Sequence, residues 1–253
     1  MISASQLQDG GETSSENHGV SWEMTEQRPD YCTATTSKGI MAGVPVVPPG
    51  LENLLQVSEL YVKQTWNSTF QSYCTYDLYD PDGHLLYEAI EQQECCGPRL
   101  DLMVNNTQGY NVLNLLVPSN FCNWDTELQV SSSTGELLGY IDKTWASFSS
   151  AFDISDPSGL IYLKVKGPGW GESFMSDTYY QVISGDKTAQ IGVITRVWRG
   201  FFKEMFINKD TYIISFPQDL HVTVKAMLVA CTLFIDLLNE ESRRNQSSQR
   251  ASS

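Results

Sequence analysis

Thr134-Gly135-Glu136-Leu137-Leu138-Gly139-Tyr140-Ile141-Asp142-Lys143-Thr144-Trp145 reads as a tight reversal followed by a strand. Thr-Gly supplies the reversal, because glycine accepts the left-handed backbone that a short hairpin turn demands. The strand returns further along as Ile191-Gly192-Val193-Ile194-Thr195-Arg196-Val197-Trp198, again just after a turn. Both octets run aliphatic-Gly-apolar-Ile-polar-basic-x-Trp, which marks an internal repeat of hairpins. Working outward, similar turns fall at Asp82-Gly83, Gln108-Gly109, Ser158-Gly159 and Gly185-Asp186, and Asn208-Lys209-Asp210 continues the series. The beat is roughly 26 residues, the length of one hairpin plus its return.

Between these turns, residues 61–216 read as strands. Leu100, Leu102 and Val104 alternate with polar neighbours, as do Ile161, Leu163 and Val165, whose intervening Lys164 and Lys166 point the other way. Six hairpins of this kind give about twelve antiparallel strands with one buried face. A sheet that wide must curl, split or close, because open edges aggregate.

Residues 221–239 break the pattern. They contain no Gly or Pro, and Ala226 to Ile235 is almost wholly apolar. This predicts one helix of about 18 residues, hydrophobic nearly all round, of the kind found inside a protein or a membrane. The apolar run is short for a bilayer span, and Thr223, Lys225 and Asp236 raise the cost of spanning. A barrel of about twelve strands has a lumen wider than its own wall side chains can fill. The expected fold is therefore mainly β: a closed antiparallel barrel of about twelve strands around a C-terminal hydrophobic helix. Asp219 is the expected N-terminal cap. Residues 1–47 are expected to be a disordered N-terminal tail entering through the stiff Pro45-Val46-Val47-Pro48, residues 48–239 the barrel domain, and residues 240–253 a disordered tail.

Composition narrows the function. The net charge of −14 over 253 residues excludes non-specific nucleic-acid binding, and it requires any attraction to anionic lipid to be local. Six cysteines without a CxxC spacing suggest neither a disulfide scaffold nor a zinc site. The N-terminus has no basic stretch followed by an apolar one, so no secretory leader is expected. There is no phosphate loop, Rossmann fingerprint or nucleophile elbow, and His18, His84 and His221 are scattered. No bond-making chemistry is expected.

Five further pieces occur in order: Pro48-Pro49-Gly50-Leu51-Glu52, Cys95-Cys96-Gly97-Pro98, Gly139-Tyr140-Ile141 leading to Thr144-Trp145, Trp198-x-Gly200-Phe201, and Phe216-Pro217-x-Asp219-Leu220. Together they resemble the phospholipid scramblase family over residues 48–239. The resemblance implies a tubby-like barrel and calcium-stimulated movement of phospholipids between leaflets. It also implies membrane association, at the cytoplasmic face of the plasma membrane, and signalling partners for the N-terminal tail. A lipid-binding adaptor of the same shape, without scrambling, is the alternative.

Three candidate sites follow. The family's proposed calcium segment maps onto Asn208, Asp210, Tyr212, Ile214, Phe216 and Asp219. It supplies two carboxylates and one amide, so weak binding is expected, and a plain turn and strand is the competing reading. The family's palmitoylated cysteine cluster is reduced here to Cys122, with Cys95 and Cys96 as a second possible pair; one acyl chain gives marginal anchoring. The sequence itself adds Arg196, Arg199 and Lys203 interleaved with Trp198, Phe201, Phe202 and Phe206, a composition suited either to a membrane interface or to a turn packed on the core.

Overall fold

The structure, a computed structural model, describes residues 47–65, 74–92, 100–118, 127–146, 149–169, 176–197 and 210–251. Twelve strands are formed: β1 Glu59–Thr65, β2 Thr75–Tyr79, β3 Leu85–Glu91, β4 Leu100–Asn106, β5 Asn111–Val117, β6 Glu127–Ser132, β7 Leu137–Ala146, β8 Ser149–Ser155, β9 Ile161–Lys166, β10 Thr178–Ser184, β11 Gln190–Val197 and β12 Thr211–Ser215. Each pairs antiparallel with its neighbours in sequence, and β12 pairs with β1 in the register Tyr61↔Ile213, so the barrel closes without an edge. A short 3-10 helix, Glu52–Leu55, precedes β1, and one long helix, α1, spans Val222–Ala251.

The hairpin turns explain the beat in the sequence. Asp80, Asn106 and Asp156 each accept, through a side-chain oxygen, the N–H four residues on, at 2.8, 2.9 and 3.0 Å. Ser132 and Ser184 do the same at 3.2 Å. Three residues after each of the first four anchors stands a glycine at φ 80 to 86° (Gly83, Gly109, Gly135, Gly159), and the fifth turn places Lys187 at φ 64°. The ladder slips by one residue beside every one of these turns, as a turn with a left-handed residue requires. Of the expected sixth member, Asn208 and Lys209 lie outside the described residues. Asp210 precedes β12 at the opposite end of the barrel, and the sixth hairpin-like pairing is the closure of β12 onto β1.

The repeated octets occupy equivalent places in β7 and β11. A Cβ at Gly139 would collide with the Ser155 carbonyl of β8, and one at Gly192 with the Ser215 carbonyl of β12. The shared glycine therefore marks two points where adjacent backbones close up.

Strands alternate as expected. In β12, Tyr212 and Ile214 face in, while Thr211, Ile213 and Ser215 lie on the outer face. The inward rows close on α1, whose residues 226–235 are all buried, and Phe152 of β8 meets Phe234 edge-on at 6.0 Å between ring centres. By length and composition Val222–Arg243 would suffice to cross a bilayer, yet 72% of its apolar window lies inside the barrel. The lumen and its greasy filling solve each other's exposure problem.

Two expectations about this helix change. It runs to Ala251, so residues 240–251 continue the helix where a disordered tail was expected. Nothing between Leu220 and Ala251 is Gly or Pro, and Glu, Arg and Gln propagate a helix well once its core is fixed. Its first turn is capped by His221, whose Nδ1 accepts the Thr223 N–H at 3.3 Å, two positions inside the expected Asp219 cap.

Candidate functional site

Antiparallel order divides the barrel into two rims. The five tight turns, the 3-10 helix and the start of α1 share one, the turn rim. The other, the exit rim, is where α1 leaves the barrel, and the strand ends facing 66–73, 93–99, 119–126, 147–148, 170–175 and 198–209 all lie there.

At the turn rim the buried charge is Lys225. Its Nζ donates to the carbonyls of Leu54, Val57 and Gln218 at 2.8, 2.7 and 2.8 Å, and sits 5.1 Å above the Phe216 ring. An ammonium has three N–H bonds, and all three are used. Burial pulls its pKa down, while the Asp219 charge opposes the fall. Lys225 thus ties helix, 3-10 turn and β12 exit loop together.

The exit rim is closed by charge. Asp210, 2% exposed, receives Arg196 Nη2 of β11 and Arg243 Nη2 of α1, both at 2.7 Å. Two turns back along α1 from Arg243, Asp236 accepts hydrogen bonds from Tyr76 of β2 at 2.9 Å and Tyr212 of β12 at 3.0 Å. Asn239 donates to the Tyr212 hydroxyl at 3.5 Å, and Arg243 reaches Glu240 at 3.0 Å and Asp236 at 4.0 Å. Burial pushes the Asp236 carboxyl up to about 6; the Asp210 and Glu240 charges raise it too, and the two tyrosine hydroxyls hold it back. Burial also drives Tyr76 and Tyr212 well above the ordinary phenol value. Burial works against the Arg196 charge, but Tyr212 and Asp210 outweigh it and leave the guanidinium above its usual value.

The candidate calcium residues are not brought together. Asp210 stands before β12, Asp219 lies exposed beyond its far end, and roughly 20 Å of extended chain runs from Asp210 to Phe216 at about 3.3 Å per residue. Tyr212, Ile214 and Phe216 point into the core, and the strand between them pairs with β1 on one side and β11 on the other. Asn208 lies outside the described residues. Calcium needs six to eight oxygens around one point, so the described residues of this set do not fit a calcium loop.

Of the basic-aromatic set, Arg196 is internal to the exit-rim cluster. Trp198, Arg199, Phe201, Phe202, Lys203 and Phe206 lie outside the described residues, as do Cys95, Cys96, Cys122 and residues 1–46. The described strands that flank Cys95–Cys96, Cys122 and 198–209 nevertheless end on one and the same rim.

The residues that sequence reading missed are Tyr76, Asp236, Asn239, Glu240 and Arg243. A signal was available: 236, 239, 240 and 243 follow the i, i+3, i+4, i+7 spacing of one helix face. It was hidden by ending the helix at Asn239.

Comparison with known proteins identifies the family. The scramblase family model matches residues 37–241. Phospholipid scramblase 1 of Mus musculus is 29% identical over 219 residues, covering 78% of this chain and 67% of that protein. Phospholipid scramblase 1 of Homo sapiens is 27% identical over 245 residues, covering 90% and 72%. Phospholipid scramblase family member 5 of Homo sapiens is 28% identical over 215 residues, covering 78% and 79%. Among solved structures, an Arabidopsis thaliana protein aligns with a TM-score of 0.45 and 15% identity, over 75% of this chain and 99% of its own. The chain belongs to the scramblase family.

Proposed function

We propose that this chain works at phospholipid membranes through its exit rim, at the cytoplasmic face of the plasma membrane, and that it promotes or regulates the passage of phospholipid between leaflets. The observation that carries the reading is topological. The connections holding the basic-aromatic segment and the candidate acylation cysteines join strands at one rim, the rim that α1 also leaves by. In a chain of net charge −14, such a local concentration is where anionic headgroups would dock. Scrambling makes and breaks no bond; it needs only a path that lowers the cost of moving a headgroup through hydrocarbon. Fluorescent-lipid redistribution in liposomes tests the proposal. Faster exchange upon adding protein supports it, and unchanged exchange at verified membrane binding removes intrinsic scrambling.

One observation favours a second reading, lipid binding without scrambling. The sole candidate span among the described residues is the barrel's own filling. Under that reading liposomes bind the protein while exchange stays at the background rate. Calcium is a third arm of the assay. Because the Asp210–Asp219 donors do not converge, any stimulation by calcium should survive Asp219→Asn.

A further inference from the structure

Asp236 and Asp210 are almost completely buried carboxylates, 1% and 2% exposed, and Arg243 reaches both at the exit rim. The scrambling reading uses neither. We propose that Asp236, fastened by Tyr76 and Tyr212 and backed by the Arg196–Asp210–Arg243 pairs, is the trigger of a latch that holds the outgoing turns of α1 to the exit rim more tightly in acid than at neutral pH.

The groups facing Asp236 come from every element packed around it: Tyr76 of β2, Tyr212 of β12, Tyr180 of β10, Asp210 before β12, and Glu240 and Arg243 of α1 itself, with Arg196 of β11 paired to Asp210 behind them. Both tyrosines stay neutral and both arginines stay charged between pH 5 and pH 7.5, so none of these changes the balance there. Asp236 does. Seated at the rim its carboxyl titrates at about 6, against 3.8 when burial is absent. The latched state therefore binds the proton more strongly, and proton binding favours the latch. As pH rises through 6 the carboxylate becomes charged in a place that desolvates it, and the latch loosens. Two tyrosine hydroxyls lessen that penalty without removing it, since Asp210 and Glu240 repel the new charge. Above the rim, Arg243 on Asp210 keeps the loosened helix in reach at either pH. Below it, residues 226–235 stay in the barrel because nothing there titrates in this range.

The two protonation states differ most in residues 237–243, the turns between the buried run and the polar end. Hydrogen exchange on the full chain, without lipid, reads them. After correction for intrinsic rates, protection of amides 237–243 should be about tenfold higher at pH 5 than at pH 7.5, and amides 227–234 should show no such change. Asp236→Asn keeps the shape and one acceptor and one donor for the tyrosines. It should give the acid level of protection at pH 7.5 and abolish the pH dependence. Equal protection of the unsubstituted chain at both pH values overturns the proposal, as does a loss of protection in Asp236→Asn. Should that variant fail to fold, carboxyl titration of the unsubstituted protein by carbon-13 NMR decides: a midpoint near 6 for Asp236 supports the latch, and one below about 4.5 ends it.

Discussion

The two rims of this barrel are closed by opposite means. At the turn rim, closure is mostly local. Five short turns each carry their own anchor, within four residues of the group it bonds, and four place a left-handed glycine where the chain reverses. At the exit rim, closure is long-range. Arg196, Asp210 and Arg243 meet across β11, the start of β12 and α1, and Tyr76 reaches Asp236 across 160 positions of sequence. The turn rim can be read from neighbouring letters and damaged in small steps. The exit rim exists only once the barrel has closed, and its polar groups fail together.

The sharpest test of the contrast uses two buried cysteines, Cys231 in the buried run of α1 and Cys74 at the exit-rim end of β2. With the other cysteines replaced by serine, Cys231 should label at least about a thousandfold more slowly than an exposed thiol, because reagent reaches it only on global unfolding. Burial also raises its pKa and so depletes the thiolate. Cys74 should label faster than Cys231, through local opening of the exit rim. Equal rates would mean that the exit rim opens only when the whole barrel unfolds.

Lys225→Met probes the buried long-range contact of the turn rim. It leaves three carbonyls, two of them buried, without their donor, and the expected loss is about 3 kcal/mol in urea unfolding. A loss under about 1 kcal/mol would show that the rim is closed by its turns alone.

Asp210→Ala probes the exit rim. It strips Arg196 and Arg243 of their shared carboxylate, for an expected loss of about 2 kcal/mol, softened by the partial exposure of Arg243. Arg243→Ala should cost less, and the double variant should cost less than the two singles together, because they break the same contact. Strict additivity would refute a shared cluster.

The smallest effect belongs to a single turn. Gly109→Ala places a side chain at φ 82° with open space around it, so only the backbone penalty remains, about 1 kcal/mol in thermal unfolding. Lys187→Gly, at the one turn that lacks such a glycine, should be neutral or slightly stabilising.

These contrasts also show how far the sequence could be read. The barrel, the strand number and the buried helix were legible because each rests on a repeating local signal: the glycine beat, the period-two alternation, and the apolar run 226–235. The extent of α1 was not legible, because Glu240 to Ala251 is as polar as a tail and becomes helix by growing from a buried core. Of the two readings of the candidate calcium segment, the strand is the one formed: Thr211–Ser215 is pinned on both sides, so its side chains diverge to opposite faces. Asp236 looked like the end of a hydrophobic stretch; only Tyr76 and Tyr212 reveal it as part of a polar cluster.

The order of letters alone determined that this chain reverses every two strands, hides one face of each, and ends in an apolar rod too greasy for water. Those are properties of neighbours, set by turn geometry and side-chain period. Which rim the rod leaves by, and which distant charges meet there, was decided by the closed barrel. Closure brings β2, β11, β12 and α1 within hydrogen-bonding distance, and no local rule of sequence carries that distance.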